Sequence, residues 1–174
     1  MVAGQLRGRR IESPEGREVR PTMDKARQAT FNALGSLGLV AGARMADCLA
    51  GTGALGIEAL SRGAAHVTFV ERERAMLDVL QRNLATLGIT DRATVLRGDA
   101  RVQVRALRDV DVVLADPPYD FEDWAAFLAA VQCGFVVAES DREIAAPAGW
   151  AAVRARRYGR AWVTFLRRLG GTVR

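Results

Sequence analysis

The feature that most constrains the fold is an alternation of strand-like and helix-like segments that begins at Arg44 and continues to Glu139. Apolar residues in this stretch switch repeatedly between the two-residue period of a strand and the longer period of a helix. Such alternation is typical of βαβ units, which build a parallel, doubly wound sheet. We expect strands at 44–49, 66–71, 93–97, 110–115 and 135–139, and helices at 54–62, 73–87, 101–107 and 122–131.

The two flanks of this stretch follow other patterns. Upstream, Asp24 is predicted to cap a helix that ends before Gly38, because small and apolar residues recur there at helical spacing. Downstream, Trp150–Arg156 and Ala161–Arg167 are predicted to form two strands around Tyr158-Gly159, an antiparallel hairpin that closes the sheet. The fold class is therefore α/β: a Rossmann-like, mostly parallel seven-stranded sheet with helices on both faces.

The composition is that of a single globular domain. The chain has 174 residues, of which 49% are apolar and 26% are charged, enough for a sizeable core. No apolar run is long enough to span a membrane and no secretory signal is visible, so we expect a cytoplasmic protein with no membrane partner. Cys48, Cys133 and the single His66 are too few for a disulfide framework or a zinc site, so we expect no metal.

Arginines cluster at both ends of the chain, and the net charge is +5. This balance favours a polyanionic partner. Residues 1–22 are predicted to be a basic extension, either a β-hairpin or a partly mobile segment, with too few apolar positions to form a core. The candidates for binding the phosphates of such a partner are Arg7, Arg9, Arg10, Arg20 and Arg27. The alternatives are a solvated tail, an ion pair between Arg27 and Asp24, and a solvent-facing hairpin for the C-terminal arginines.

A glycine-rich segment separates the first predicted strand from the helix that follows. Residues 46–56 read ADCLAGTGALG and contain the pattern G-x-G-x-x-G. In such a segment Gly51 and Gly53 let the backbone approach a ligand closely, while Gly56 lets the helix pack near the strand. Dinucleotide and nucleoside cofactors both use this geometry, so the motif alone does not separate them.

Acidic residues close four successive strands of the predicted sheet. Glu71 can accept hydrogen bonds from both hydroxyls of a ribose, although a plain surface acid is the alternative. Asp99, which precedes Ala100, can accept a hydrogen bond from an adenine amine, cap the next helix, or do both. Because parallel strands bind ligands at their carboxyl ends, we expect Asp47, Glu71, Asp99 and Asp116 to line one crevice.

The fourth of these strands ends in Asp116-Pro117-Pro118-Tyr119. The two prolines fix their own φ angles, lack N–H groups and keep Asp116 out of a helical conformation. They therefore hold one carboxylate and one free carbonyl in fixed directions beside an aromatic ring. This arrangement suits a planar molecule with an exocyclic amine, such as a nucleobase, whereas the alternative is a structural turn.

These residues resemble the motifs of S-adenosylmethionine-dependent amino-methyltransferases, and further segments are similar to the bacterial RsmD family. The similar segments are RGR at 7–9, RPTMDKAR at 20–27, FNAL at 31–34 and GALGIEALSRGA at 53–64. Leu49, Met23 and Lys25 depart from the usual pattern. The resemblance implies a class I methyltransferase domain at 23–174. It also implies methylation of a guanine N2 amine in 16S rRNA, within the assembled small ribosomal subunit, by a monomer.

The resemblance also implies a role for each site residue. Asp116 and Pro117 would accept the two N–H groups of the amine, and Tyr119 would stack on the base. The residues expected to bind S-adenosylmethionine are Asp47, Ala50, Gly51, Gly53, Glu71, Asp99 and Ala100. Three alternatives stay open: the same chemistry on adenine N6 or a glutamine amide, a nicotinamide-dependent oxidoreductase, and a non-catalytic RNA-binding module.

Overall fold

Seven strands form one sheet in the part of the chain that the structure describes. The structure is a computed structural model and describes residues 1–13, 21–118 and 120–170, with residues 21–23 described by their backbone only. The strands are β1 (Arg44–Cys48), β2 (His66–Glu71), β3 (Ala93–Arg97), β4 (Val112–Ala115), β5 (Phe135–Ser140), β6 (Trp150–Tyr158) and β7 (Ala161–Arg168). The helices are α1 (Pro21–Ser36), α2 (Ala54–Ser61), α3 (Arg74–Leu87), α4 (Ala100–Gln103) and α5 (Trp124–Ala130).

The strand order is β3-β2-β1-β4-β5-β7-β6. The first five strands of this order are parallel, β7 runs antiparallel to β5, and β6 runs antiparallel to β7. The α/β fold class is thus confirmed, including the antiparallel hairpin at the C-terminal side. The chain reverses the direction in which it adds strands between β1 and β4, and in an open α/β sheet such a point is where a ligand crevice forms.

Two apolar cores lie on opposite faces of the sheet, because successive side chains of a strand point to opposite sides. In β4, Val112 and Leu114 belong to the core beneath α1, α2 and α3, and Val113 and Ala115 belong to the core beneath α4 and α5. All four side chains are at most 1% exposed. The sheet is therefore covered by helices on both faces, as a parallel sheet requires.

The N-terminal residues differ from the expected β-hairpin. Residues 1–13 form turns and no strand, while residues 14–20 lie outside the described part of the chain. Leu6 is nevertheless buried in the main core, so this segment packs against the domain. The backbone N–H of Gln5 donates to the carbonyl of Ser61 at 2.7 Å, and the N–H of Leu6 donates to Ser61 Oγ at 2.9 Å. The segment is therefore anchored on the end of α2.

Helix α1 begins at Pro21, three residues before the predicted cap Asp24. Proline is well suited to the first turn, where its missing N–H has no helical partner to lose. Asp24 instead lies one turn into the helix, and its Oδ1 accepts a hydrogen bond from Arg27 at 2.5 Å. None of the described helices is long and apolar enough to cross a membrane.

Candidate active site

An open cleft of about 1790 Å³ lies at the carboxyl ends of the parallel strands. Asp47, Glu71, Asp99 and Asp116 all line it, as the sequence predicted. A small-molecule site usually occupies about 300–1,000 Å³. The cleft therefore has room for a cofactor beside a nucleotide of a second molecule.

Asp47 holds the first turn of α2. Its Oδ2 accepts a hydrogen bond of 2.8 Å from the backbone N–H of Gly56, and the residue is only 1% exposed. Burial raises the pKa of Asp47 to about 8, against the opposing effect of the Gly56 hydrogen bond, and the charges of Asp116 and Glu71 add to the rise. Asp47 thus holds the glycine-rich turn in place through Gly56, and Asp47 also lines the cleft.

Glu71 is organised by backbone donors on two sides. Its Oε2 accepts from the N–H of Gly51 at 2.8 Å, and its Oε1 accepts from the N–H groups of Arg72 at 2.7 Å and Glu73 at 2.8 Å. The carboxylate therefore ties the end of β2 to the glycine-rich turn and presents its remaining lone pairs to the cleft. This placement differs from that of a freely solvated surface acid.

The two glycines assigned to cofactor contact lie in different environments. Gly51 lines the cleft with φ +54°, and a Cβ added there would meet nothing within 4 Å. Gly53 has φ +86°, is buried, and its added Cβ would lie 2.4 Å from Leu80 Cδ1. Gly51 therefore leaves open space for a ligand, which is the shape that a nucleoside cofactor would fill. The structure does not bring Gly53 to the cleft wall and gives it a packing role instead.

Leu49 begins this turn in a left-handed conformation, with φ +65°. A non-glycine residue pays about 1–2 kcal/mol for such a conformation. Leu49 and Ala50 both line the cleft, so the strained residue lies where the backbone leaves β1 for the ligand-facing turn. Strain of this kind is found where the surrounding structure holds a functional loop in one shape.

Asp99 caps α4, as one of the two sequence interpretations proposed. Its Oδ1 accepts from the backbone N–H of Arg101 at 2.9 Å, and its Oδ2 pairs with Arg101 Nη2 at 2.6 Å. The Arg101 hydrogen bonds hold the pKa of Asp99 down at about 2, against the opposing effect of partial burial. The carboxylate and its neighbour Ala100 line the cleft beside Glu71, so Asp99 stays ionised as an acceptor.

Asp116 and Pro117 follow β4 at the same edge. Among the described residues, none donates a hydrogen bond to the Asp116 carboxylate or to the Pro117 carbonyl, whereas the Pro118 carbonyl accepts from Phe121 at 3.0 Å. Burial raises the pKa of Asp116 to about 6. Asp116 and Pro117 thus offer two unused acceptors to the cleft. Tyr119, the third residue assigned to this site, lies outside the described residues.

Glu139 is a cleft residue that the sequence analysis missed. It lies near the end of β5 and lines the cleft together with Asp116. Burial, and to a smaller extent the charge of Asp116, raise the pKa of Glu139 to about 8. The rule that identified the other four acids also identifies this one, because Glu139 is the last residue of the fifth predicted strand. A second missed residue, Arg160, reaches the cleft from the β6–β7 turn, and no local pattern predicts that contact.

The basic candidates divide into three groups. Arg9 and Arg10 are exposed and line the cleft, and Arg7 is exposed nearby in the same turn. The side chain of Arg27 is 11% exposed and pairs with Asp24 at 2.5 Å and with Glu58 at 3.9 Å, so the predicted ion pair is present. Arg20 lies outside the described residues. The described residues contain no group of three or more His, Cys, Asp and Glu side chains that could hold a metal ion.

Comparisons with known proteins identify the family. The model of a family described as Conserved hypothetical protein 95 matches residues 1–167. Ribosomal RNA small subunit methyltransferase D of Haemophilus influenzae is 30% identical over 175 residues, which cover 91% of this chain and 88% of that protein. The protein of the same name from Escherichia coli is 38% identical over 119 residues, or 68% of this chain and 59% of that protein.

A solved structure agrees with these matches. The Escherichia coli protein yhhF superposes with a TM-score of 0.82 at 32% sequence identity, covering 97% of this chain and 96% of that one. The superposition thus extends over the sheet, the helices around it and the cleft. The chain therefore belongs to the RsmD family, the family of the Ribosomal RNA small subunit methyltransferase D proteins.

Proposed function

We propose that this protein transfers a methyl group from S-adenosylmethionine to the N2 amine of a guanine in small-subunit ribosomal RNA. The observation that carries the proposal is the pair of unused acceptors on Asp116 and Pro117, which face the same cleft as Gly51 and Glu71. The relatives from Haemophilus influenzae and Escherichia coli, both named as small-subunit ribosomal RNA methyltransferases, support the choice of substrate.

The cofactor would lie between the glycine-rich turn and the ends of β2 and β3. Glu71 would accept hydrogen bonds from the ribose hydroxyls, and Asp99 would accept one from the adenine amine. The open space in front of Gly51 would take the part of the cofactor that approaches the backbone most closely. When bound, the cofactor supplies an electrophilic methyl group on a positively charged sulfur.

The acceptors at the end of β4 act on the amine. A guanine amine is a poor nucleophile because its lone pair is delocalised into the ring. If the Asp116 carboxylate and the Pro117 carbonyl each accept one N–H, the lone pair is localised in the direction of the methyl group. Oriented in this way, the amine nitrogen would face the methyl group that the bound cofactor supplies. The product amine releases one proton, which Asp116 can hold because its pKa is raised.

The substrate must present the guanine outside its stack. Extruding a base costs a few kcal/mol, least where the nucleotide is already in a loop, and sequence-specific RNA recognition usually targets such nucleotides. Arg7, Arg9 and Arg10 are exposed on the turn beside the cleft and would hold neighbouring phosphates. We also propose that Tyr119 stacks on the base, that the assembled small subunit is the substrate, and that the protein acts as a cytoplasmic monomer.

The proposal is tested by offering labelled S-adenosylmethionine together with small ribosomal subunits, naked DNA or protein. We expect label in the RNA of the subunits alone. Label in DNA or protein would contradict the choice of substrate. Calorimetry with S-adenosylhomocysteine and with NADH separates the cofactor assignment from the substrate assignment, since binding of NADH alone would contradict the methyltransferase mechanism at its first step.

A further inference from the structure

Glu139 lies beside Asp116 because of the strand register. Strands β4 and β5 are parallel, and Ala115 pairs with Ala138. The next residue on each strand is an acid, so Asp116 and Glu139 are neighbours at the carboxyl edge of the sheet. Neighbouring parallel strands lie about 4.8 Å apart. Both residues line the cleft, and their carboxyl groups therefore face the same volume.

The environment of these two acids differs from that of the other three cleft acids. Asp47, Glu71 and Asp99 each accept at least one hydrogen bond from the protein. No described residue donates a hydrogen bond to the carboxyl group of Asp116 or Glu139 or forms an ion pair with either. A half-buried acid without a partner is destabilising, and here two such acids lie side by side. Donors that enter the cleft would therefore find two adjacent acceptors.

The neighbours of Glu139 across the sheet are apolar. Its pairing partner in β7 is Val163, which is 1% exposed, and Ala138 before it is fully buried. Burial and the charge of Asp116 raise the pKa of Glu139 to about 8. The protein thus provides Glu139 with neither a donor nor a compensating charge on this side, although Arg160 lines the same cleft from the adjoining turn.

Guanine offers the donors that this pair lacks. Its N2 amine stands directly beside N1–H, so two adjacent acceptors can bind both. Adenine places N1, an acceptor without hydrogen, beside its N6 amine, and an ionised carboxylate at that position would face a lone pair. Sites that hydrogen-bond one particular group reject analogues without that group more strongly than apolar pockets reject a change of shape.

We propose that Glu139 is a specificity-determining residue that accepts a hydrogen bond from N1–H of the target guanine while Asp116 accepts one from the reacting N2 amine. This inference rests on the proposed function and adds a residue and a mechanism of base selection to it. Asp116 acts on the reacting nitrogen, whereas Glu139 binds the adjacent atom. Loss of Glu139 therefore weakens the preference for guanine more than it weakens the reaction itself.

The test uses small ribosomal subunits reconstituted with RNA that carries 2-aminopurine in place of the guanine that the wild-type enzyme methylates. This base keeps the N2 amine but has no hydrogen on N1. At about pH 8.5, above the raised pKa of Glu139, we expect wild-type kcat/KM to be about 10- to 100-fold higher for guanine, the range of one hydrogen bond to a charged group. In Glu139→Ala the preference falls to about 2-fold, mainly through a lower rate on guanine. Glu139→Gln, which keeps one acceptor oxygen, retains an intermediate preference and shows that the effect is not a folding defect.

The control is Glu143→Ala, an exposed acid after β5 that does not line the cleft, and it should keep the wild-type preference. An unchanged preference in Glu139→Ala, or equal losses on both bases in Glu139→Ala and Glu139→Gln, would overturn the inference. A wild-type enzyme without any preference would do the same. Failure of the wild-type enzyme to methylate guanine at all would instead contradict the proposed function.

Discussion

The Oδ2 atom of Asp47 and the backbone N–H of Gly56 are 2.8 Å apart, and this hydrogen bond joins the end of β1 to the first turn of α2. Asp47 is nearly inaccessible to water, so its charge is costly in the folded protein. One residue therefore both holds the glycine-rich turn and makes the stability of the fold depend on pH.

The sign of that dependence follows from the raised pKa. Folding raises the pKa of Asp47 from its ordinary value to about 8, so the folded state binds more protons than the unfolded state between about pH 4 and pH 8. The free energy of unfolding therefore falls as the pH rises through this window, by at most about 1.4 kcal/mol per pH unit for one group. Asp47→Asn keeps an oxygen acceptor for Gly56 and removes the charge.

We expect the free energy of unfolding of Asp47→Asn to fall less steeply than that of the wild type between pH 5 and pH 8, as measured by urea unfolding at several pH values. Asp116 and Glu139 also have raised pKa values, so part of the slope should remain in the variant. If the free energy of unfolding of the variant depends on pH as steeply as that of the wild type, Asp47 is not the group that takes up the proton on folding.

Gly51 and Gly53 provide a matched pair of substitutions within one turn. Both have positive φ angles, but only Gly53 lacks space for a side chain. We expect Gly53→Ala to lower the free energy of unfolding by at least about 2 kcal/mol, from backbone strain together with the clash against Leu80. Gly51→Ala should cost about 1 kcal/mol of stability and should weaken S-adenosylhomocysteine binding more than tenfold.

Thermal unfolding and calorimetry together measure the two effects. The opposite pattern, with Gly51→Ala the less stable variant and its affinity for S-adenosylhomocysteine intact, would contradict the division of roles between the two glycines.

Glu58 connects the N-terminal segment to the helices around the cleft. Its fully buried carboxylate accepts from the N–H groups of Val2 at 2.8 Å and Ala3 at 3.0 Å and pairs with Arg62 Nε at 2.7 Å. Glu58→Ala leaves partly buried donors without an acceptor, and breaking such a buried pair typically costs about 3–5 kcal/mol. Denaturant unfolding should show a loss in this range.

The control for Glu58 is the exposed pair of Glu12 and Arg82, 2.9 Å apart, with both side chains more than half exposed. Exposed ion pairs are worth about 0–1 kcal/mol, so Glu12→Ala should change stability by less than about 1 kcal/mol. Equal losses in the two variants would mean that burial does not determine the strength of the Glu58 contacts.

Arg7, Arg9 and Arg10 are predicted to release counterions when they contact phosphates. Replacing all three by alanine should make the plot of the logarithm of the RNA association constant against the logarithm of salt concentration less steep by about 2. Each phosphate contact contributes about 0.7 to this slope on single-stranded RNA. The matched control replaces Arg97, Arg105 and Arg108, three exposed arginines that do not line the cleft. If both triple variants lose the same slope, the N-terminal arginines contribute only through net charge.

Periodicity and strand-end acids predicted most of the sheet and the cleft, for a physical reason. Parallel strands are buried and therefore apolar, and their carboxyl ends share one edge, so Asp47, Glu71, Asp99 and Asp116 converge whatever the details of packing. The anchoring of residues 1–13 was not predictable in the same way. It depends on contacts with Glu58 and Ser61, more than 50 residues away, and no local pattern contains them.

The motif predicted the roles of the glycines only in part. The pattern G-x-G-x-x-G gives the turn, but whether a glycine faces a ligand or a neighbouring side chain depends on Leu80 in α3. For Glu139 the limit was different, because its position at a strand end was visible, and its importance became clear only from the register that places it beside Asp116.

The most direct measurement of the central claim identifies the nucleoside that receives the methyl group. Small subunits from cells that lack this protein are incubated with the wild-type protein or Asp116→Asn and labelled S-adenosylmethionine, and the RNA is digested to nucleosides. We expect label in N2-methylguanosine with the wild type. With Asp116→Asn we expect at least about 100-fold slower transfer, the cost of losing a charge-stabilising acceptor, and unchanged S-adenosylhomocysteine binding. Label in another nucleoside, or wild-type rates from Asp116→Asn, would contradict the account.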